Sequence, residues 1–171
     1  MEYLFIVVLI LTIIIACALF FINKFNELNE ISIKMNKAQD NISNLLQEKY
    51  SKMYDCYKII KKNIKKKDYL KDFNELKIDK LTTYELDTEL NNYYDLMSEL
   101  KETYKSLNTK DYKKLLEEVV DISEKIIASE KYFNKYNNVL IKKITGFNKL
   151  IANIGKIKVK TSYEIKEPTE D

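Results

Sequence analysis

The sequence predicts an all-α protein, with an N-terminal transmembrane helix followed by an antiparallel bundle of long amphipathic helices. Three observations predict it. The chain of 171 residues contains only two Gly and one Pro, too few breakers for the many turns of an all-β or α/β fold. A run of twenty residues near the start carries no charge. Through most of the remainder, apolar residues recur every three or four positions, as one face of a helix requires.

The first element is Tyr3 to Ile22, in which fifteen of twenty residues are Leu, Ile, Val or Phe. Insertion energies for such residues sum to roughly −5 to −9 kcal/mol as an upper estimate. Twenty residues at helical rise span about 30 Å, the thickness of a bilayer's hydrocarbon layer. Residues 1–22 are therefore read as a membrane anchor, with the lipid bilayer as partner through residues 3–22. Ala16-Cys17-Ala18 also has the small-residue spacing of a signal-peptidase site, and Ile14-Ile15-Ala16-Cys17 resembles a weak lipoprotein box. A processed secreted or lipidated protein is thus an alternative, although the first seven residues carry no Lys or Arg and the apolar run continues past Cys17. Lys24, Lys34 and Lys37 follow the run, and the positive-inside rule then puts the N-terminus outside and the helical domain in the cytoplasm.

The second element is a helical bundle over residues 23–155. Phe25, Leu28, Ile31, Met35, Ala38, Ile42 and Leu45 step along one face, Lys49 falls where the next apolar residue belongs, and Met53, Cys56, Tyr57, Ile60 and Ile64 resume it. This predicts a first helix over about 23–74, continuous with the anchor. After a connector at 75–82, Thr82 and Glu85 have the spacing of a capping box. Leu86, Leu90, Tyr93, Met97, Leu100, Tyr104 and Leu107 then predict a second helix over 83–107. Asn108 and Asp111 suit the start of a third, whose stripe is Tyr112, Leu115, Val119, Ile122, Ile126, Phe133, Tyr136, Leu140 and Ile144. That helix is expected over 109–153, with Gly146 a possible end and Gly155 the surer stop. Residues 156–171 alternate apolar and polar as an extended tail along the bundle, ending in a disordered KEPTED. A coiled-coil dimer of the cell-envelope or division type uses the same stripes and is the alternative to an intramolecular bundle.

Composition narrows function. All 29 basic residues are Lys, against 26 acidic ones, and the chain has no Arg, His or Trp. Without Arg, nucleic-acid recognition is not expected. Without His, triads, dyads and di-metal sites built on it are excluded, so the expectation is no enzyme, no cofactor and no metal. Cys17 and Cys56 stand about 58 Å apart along a helix, too far for a disulfide.

Several residues invite a functional reading beside an ordinary one. Lys61, Lys62, Lys65, Lys66 and Lys67 form the densest basic cluster, suited either to anionic lipid, nucleic acid or an acidic partner, or to plain solvation. Tyr50 and Tyr54 are less committed to the stripe than the other tyrosines and are candidates for a partner surface. Lys49 and Glu130 lie on apolar faces, either as buried ionic groups or as long side chains reaching the bundle edge. Asn26, Asn134 and Asn137 either fix register as buried amides or bond at the rim. Glu117, Asp121 and Glu124 share a face that reads as solvated.

The arrangement resembles the LemA family. Phe25-Asn26, Leu28, Ile31, Met35, Ala38, Ile42, Leu46, Lys49 and Met53 match one stretch of its pattern. Phe133-Asn134, Ile144, Phe147, Leu150, Ile151, Ala152 and Gly155, with Tyr163-Glu164 at the end, match another. Gln39 stands where the family has Trp and Asn148 where it has Pro. The resemblance implies a bacterial single-span membrane protein with a helical domain and no shared catalytic activity. A binding or scaffolding role at the membrane follows, with a protein partner or self-association.

Overall fold

The computed structural model describes residues 2–64 and 69–164, and the described residues form helices and turns with no strand. The helices are α1 (Glu2–Asn63), α2 (Lys71–Asn74), α3 (Thr83–Thr103), α4 (Lys110–Lys143) and α5 (Phe147–Ile154). Short 3-10 turns at Ile78–Lys80 and Lys105–Leu107 lead into α3 and α4. The described residues divide into two compact units, residues 2–37 with Tyr132–Glu164, and residues 38–131.

The second unit has a core of three helices. α1 contributes Ile42, Leu46, Met53, Cys56, Tyr57 and Ile60, α3 contributes Leu86, Leu90, Met97 and Leu100, and α4 contributes Tyr112, Leu116, Val119, Ile122 and Ile126. Each fully buried aliphatic side chain stabilises by roughly 1.5–3 kcal/mol relative to an exposed one. Asn41 bonds Ser129 and Lys52 bonds Glu118, so moving up α1 means moving down α4, an antiparallel pair. Thr82 caps α3 as the sequence predicts: Glu85 N–H donates to the Thr82 hydroxyl, and Thr82 N–H donates to the Glu85 carboxylate at 2.8 Å. At α4 the cap is Thr109, whose hydroxyl accepts from Tyr112 N–H at 3.3 Å, rather than Asn108.

Three expected helix bounds are corrected. The first helix ends at Asn63 rather than near residue 74. Phe73 comes back to within 5.3 Å of the Tyr50 ring, a pairing that a continuous helix would separate by about 35 Å. Burying Leu70 and Phe73 thus requires the chain to turn. The second helix stops at Thr103, and the segment to Leu107 tightens into a 3-10 turn that buries Leu107. The third is not continuous to 153, because Gly146 adopts φ 51° and ψ −128°, a conformation open to Gly alone. It leaves α5 as a separate helix.

In the first unit every side chain from Tyr3 to Phe20 is exposed, and α1 is the one helix among the described residues long and apolar enough to cross a membrane. Beyond that run, Leu28, Ile31 and Met35 form a core with Phe133 and Leu140 of α4, Ile151 and Ala152 of α5, and Ile157. Glu27 pairs with Lys143, and Lys34 sits over the Tyr136 ring, again an antiparallel register.

α5 stops at Gly155, as the sequence predicts. Ile157 N–H donates to Ala152 C=O and Lys156 N–H to Asn153 C=O, the paired bonds of a Schellman cap. The left-handed residue of that cap is Lys156, at φ 54°, while Gly155 keeps φ −79°. Gly155 is small for another reason: a Cβ there would lie 2.5 Å from the Phe25 ring.

Candidate functional site

In the second unit, two groups of side chains stand out. The first is an aromatic ladder on α1. Tyr50 and Tyr54 are neighbours on one helical face, with ring centroids 6.2 Å apart, and Tyr57 follows Tyr54 at 5.8 Å. Phe73 closes the ladder from α2, 5.3 Å from Tyr50, 6.0 Å from Tyr57 and 5.0 Å edge-on from Tyr93 of α3. Tyr50 and Tyr54 are half-buried and Phe73 is fully buried. Burial raises the Tyr50 phenol above its usual pKa. Lysines edge the ladder: Lys58 Nζ stands 4.8 Å over the Tyr54 ring, and Lys61 Nζ donates to the Tyr57 hydroxyl at 3.3 Å. Lys58 Nζ is also paired with Asp55 at 3.0 Å, so its charge is shared between the ring and a carboxylate.

Of the residues singled out in the sequence, the structure brings Tyr50, Tyr54 and Lys61 to this ladder. Lys62 is exposed beside Lys61. Lys65, Lys66 and Lys67 lie outside the described residues, as does the chain beyond Glu164. Sequence reasoning missed Lys58 and the central Phe73. The spacing of Tyr50, Tyr54 and Tyr57 signalled the ladder's α1 side. Nothing in the apolar pattern signalled the return of Phe73, because no Gly or Pro interrupts residues 63–74.

The second group is a buried polar cluster. Lys49 is 1 % exposed, which excludes an ammonium reaching the bundle edge. Its Nζ donates to Asn91 Oδ1 at 2.7 Å and to Asp87 Oδ1 at 3.2 Å, and Asn91 in turn donates to the other Asp87 oxygen at 3.1 Å. These partners sit one turn apart on α3, so a single helix face supplies both. Desolvation outweighs the Asp87 attraction and lowers the Lys49 pKa. Glu130 of α4 is also buried, and its carboxyl is pushed up to about 7, by desolvation first and by Asp87 second, against the pull of Lys49. The cluster places ionisable groups from all three helices together.

Elsewhere the polar groups are simpler. Glu117, Asp121 and Glu124 are exposed. A shallow depression of about 370 Å³ is lined by Lys101, Glu102, Lys105, Asn108 and Lys113. Cys17 and Cys56 are both free thiols.

In the first unit, Asn134 and Asn137 clamp the tail. Asn134 Nδ2 donates to Tyr163 C=O, and Tyr163 N–H donates back to Asn134 Oδ1, both at 2.8 Å. Asn137 does the same to Lys160, at 2.6 and 3.0 Å, and also reaches Ser162 Oγ. Each amide thus imitates a strand partner for one tail residue, and the Tyr163 ring packs edge-on against Phe133 at 5.0 Å. Asn137 is fully buried and Asn26 is exposed.

No family model matches the chain, and neither the curated proteins nor the solved structures contain a match.

Proposed function

We propose that this chain is a single-span membrane protein of LemA-like type, in which residues 3–22 cross the bilayer and the helical region binds a partner at the cytoplasmic face without catalysing a reaction. The observation that carries the reading is the exposed, uncharged helical run from Tyr3 to Phe20. In water such a surface is insoluble. In lipid it is the favourable arrangement, because helix satisfies every backbone polar group internally. Retention of the run is supported by Phe20, whose ring packs 6.0 Å from Phe147. Lys24, Lys34 and Lys37 favour the cytoplasmic orientation.

The binding role rests on the aromatic ladder. Half-buried Tyr rings edged by lysines present an amphipathic surface that meets an acidic, partly apolar protein partner at low conformational cost. Confinement to the membrane raises the effective concentration of such a surface for partners in the same leaflet.

Alkaline extraction of membranes tests the anchor: the full-length chain is expected to stay in the pellet until detergent is added, and its release into the soluble fraction would overturn the reading. Photo-crosslinking from position 54 in intact cells tests the surface. An adduct that Tyr50→Ala or Lys62→Glu weakens is expected, and an unchanged adduct pattern would remove the ladder from the account.

A further inference from the structure

α5 buries Ile151 and Ala152 and leaves three large apolar side chains in the open. Phe147 is 52 % exposed, Leu150 59 % and Ile154 69 %. Their spacing of three and four puts them on one face of the helix, so they form a continuous stripe rather than scattered exposure.

Two observations say what covers that stripe. The first is continuity: Phe147, where the stripe begins, packs against Phe20, in the last turn of the uncharged run. A helix of twenty residues fills about 30 Å, so the neighbour of Phe20 sits at the edge of the hydrocarbon. The second is charge: between Tyr132 and Tyr163 the sequence has seven lysines and no acidic residue, and although Glu27 takes up Lys143, Lys142 stands just before α5 and Lys156 and Lys158 just after it. That pattern complements anionic headgroups. Gly146, in its left-handed conformation, frees α5 to run independently of α4.

We propose that α5 is an interfacial helix, with Phe147, Leu150 and Ile154 seated in the boundary between headgroups and acyl chains of an anionic leaflet, the same leaflet from which residues 3–22 emerge. This rests on the anchor reading above. The helix lies in the membrane plane with its apolar stripe about 5–10 Å deep, while Lys149, on its outer side, stays with headgroups and water.

The absence of Trp makes the test direct. Single reporters Leu11→Trp, Leu150→Trp and Lys149→Trp are placed in the full-length chain, which is reconstituted into phosphatidylcholine–phosphatidylglycerol vesicles. Quenching is then read with lipids brominated near the headgroup or near the chain end, and with aqueous iodide. Leu11→Trp is expected to lose most of its emission to the deep bromolipid. Leu150→Trp is expected to lose most of its emission to the shallow one while resisting iodide, and Lys149→Trp to remain iodide-sensitive. If Leu11→Trp is quenched deeply but Leu150→Trp answers only to iodide, the interfacial helix is overturned and the anchor stands. If Leu11→Trp also answers to iodide, both fall. Replacing phosphatidylglycerol by phosphatidylcholine is expected to reduce shallow quenching of Leu150→Trp, and equal quenching in both lipids would refute the anionic preference.

Discussion

Around Lys49 the second unit buries charge, whereas around Asn134 and Asn137 the first unit meets the same need with neutral amides. In the second unit an ammonium, a carboxylate and a second carboxyl pushed up to about 7 share one desolvated neighbourhood. In the first, each amide offers one donor and one acceptor to a single tail residue, and no proton need move. Charges taken out of water are costly and respond to pH. Amides are cheaper to bury and do not titrate. The comparison teaches that one chain uses a pH-responsive contact to fix the register of three helices and a pH-indifferent contact to hold an extended segment.

Breaking the charged cluster has the largest expected effect. Asp87→Ala leaves the Lys49 ammonium with Asn91 as its one remaining hydrogen-bond partner and is expected to lower stability by roughly 3 kcal/mol, read by thermal unfolding of the detergent-solubilised chain. Lys49→Met removes the buried charge with similar volume and is expected to fall within about 1 kcal/mol of the parent. Equal losses from the two substitutions would show that packing, not charge, dominates the site.

The next effect is pH dependence. Glu130 holds its proton more tightly in the fold than its ordinary value of 4.5 allows. Protonated Glu130 therefore favours the folded state. Its contribution is complete below about pH 4.5 and is lost as pH rises through about 7. Glu130→Gln, neutral throughout, is expected to remove that slope and to raise stability at pH 8 by up to about 3 kcal/mol. A parallel slope in parent and variant would assign the pH response to other groups.

The amide clamp is expected to be weaker and flat with pH. Asn137→Ala removes its bonds to Lys160 and Ser162 and is expected to cost about 2 kcal/mol, with faster hydrogen exchange at the Lys160 amide at any pH between 5 and 8. A pH-dependent loss would erase the contrast between the units. The smallest effect lies at the Schellman cap. Lys156→Gly relieves a left-handed residue and is expected to add about 1 kcal/mol, seen as a small rise in the melting temperature.

Much of this fold was legible where local chemistry decides it. The stripe from Leu28 to Ile42 and the Thr82 cap follow from spacing and from one hydroxyl–carboxylate pair. The register of α4 was read less well. Leu116 and Asn137 are buried where Leu115 and Tyr136 were expected, and Leu115 and Tyr136 are only half-buried. The buried face of α4 contains Glu130 and Asn137, and a search for apolar residues steps off such a face onto its neighbours. The groups that surround them, Lys49 and Asp87 near Glu130 and the tail backbone at Asn137, lie distant in sequence, so no local pattern announces a polar residue on the buried face. The ladder was half legible for the same reason: Tyr50 and Tyr54 share a helix, while Phe73 reaches them only after a turn that no Gly or Pro marks.

Cys56 has a use that follows from its setting. Burial pushes its thiol up to about 12 and leaves no exposed sulfur, so at neutral pH it is almost entirely the unreactive thiol. A charged, water-soluble alkylating reagent then reaches Cys56 only when the second unit opens, and peptide mapping separates that adduct from one at the exposed Cys17. The modification rate is a clock for that opening, built into the natural sequence and readable by mass without any added label.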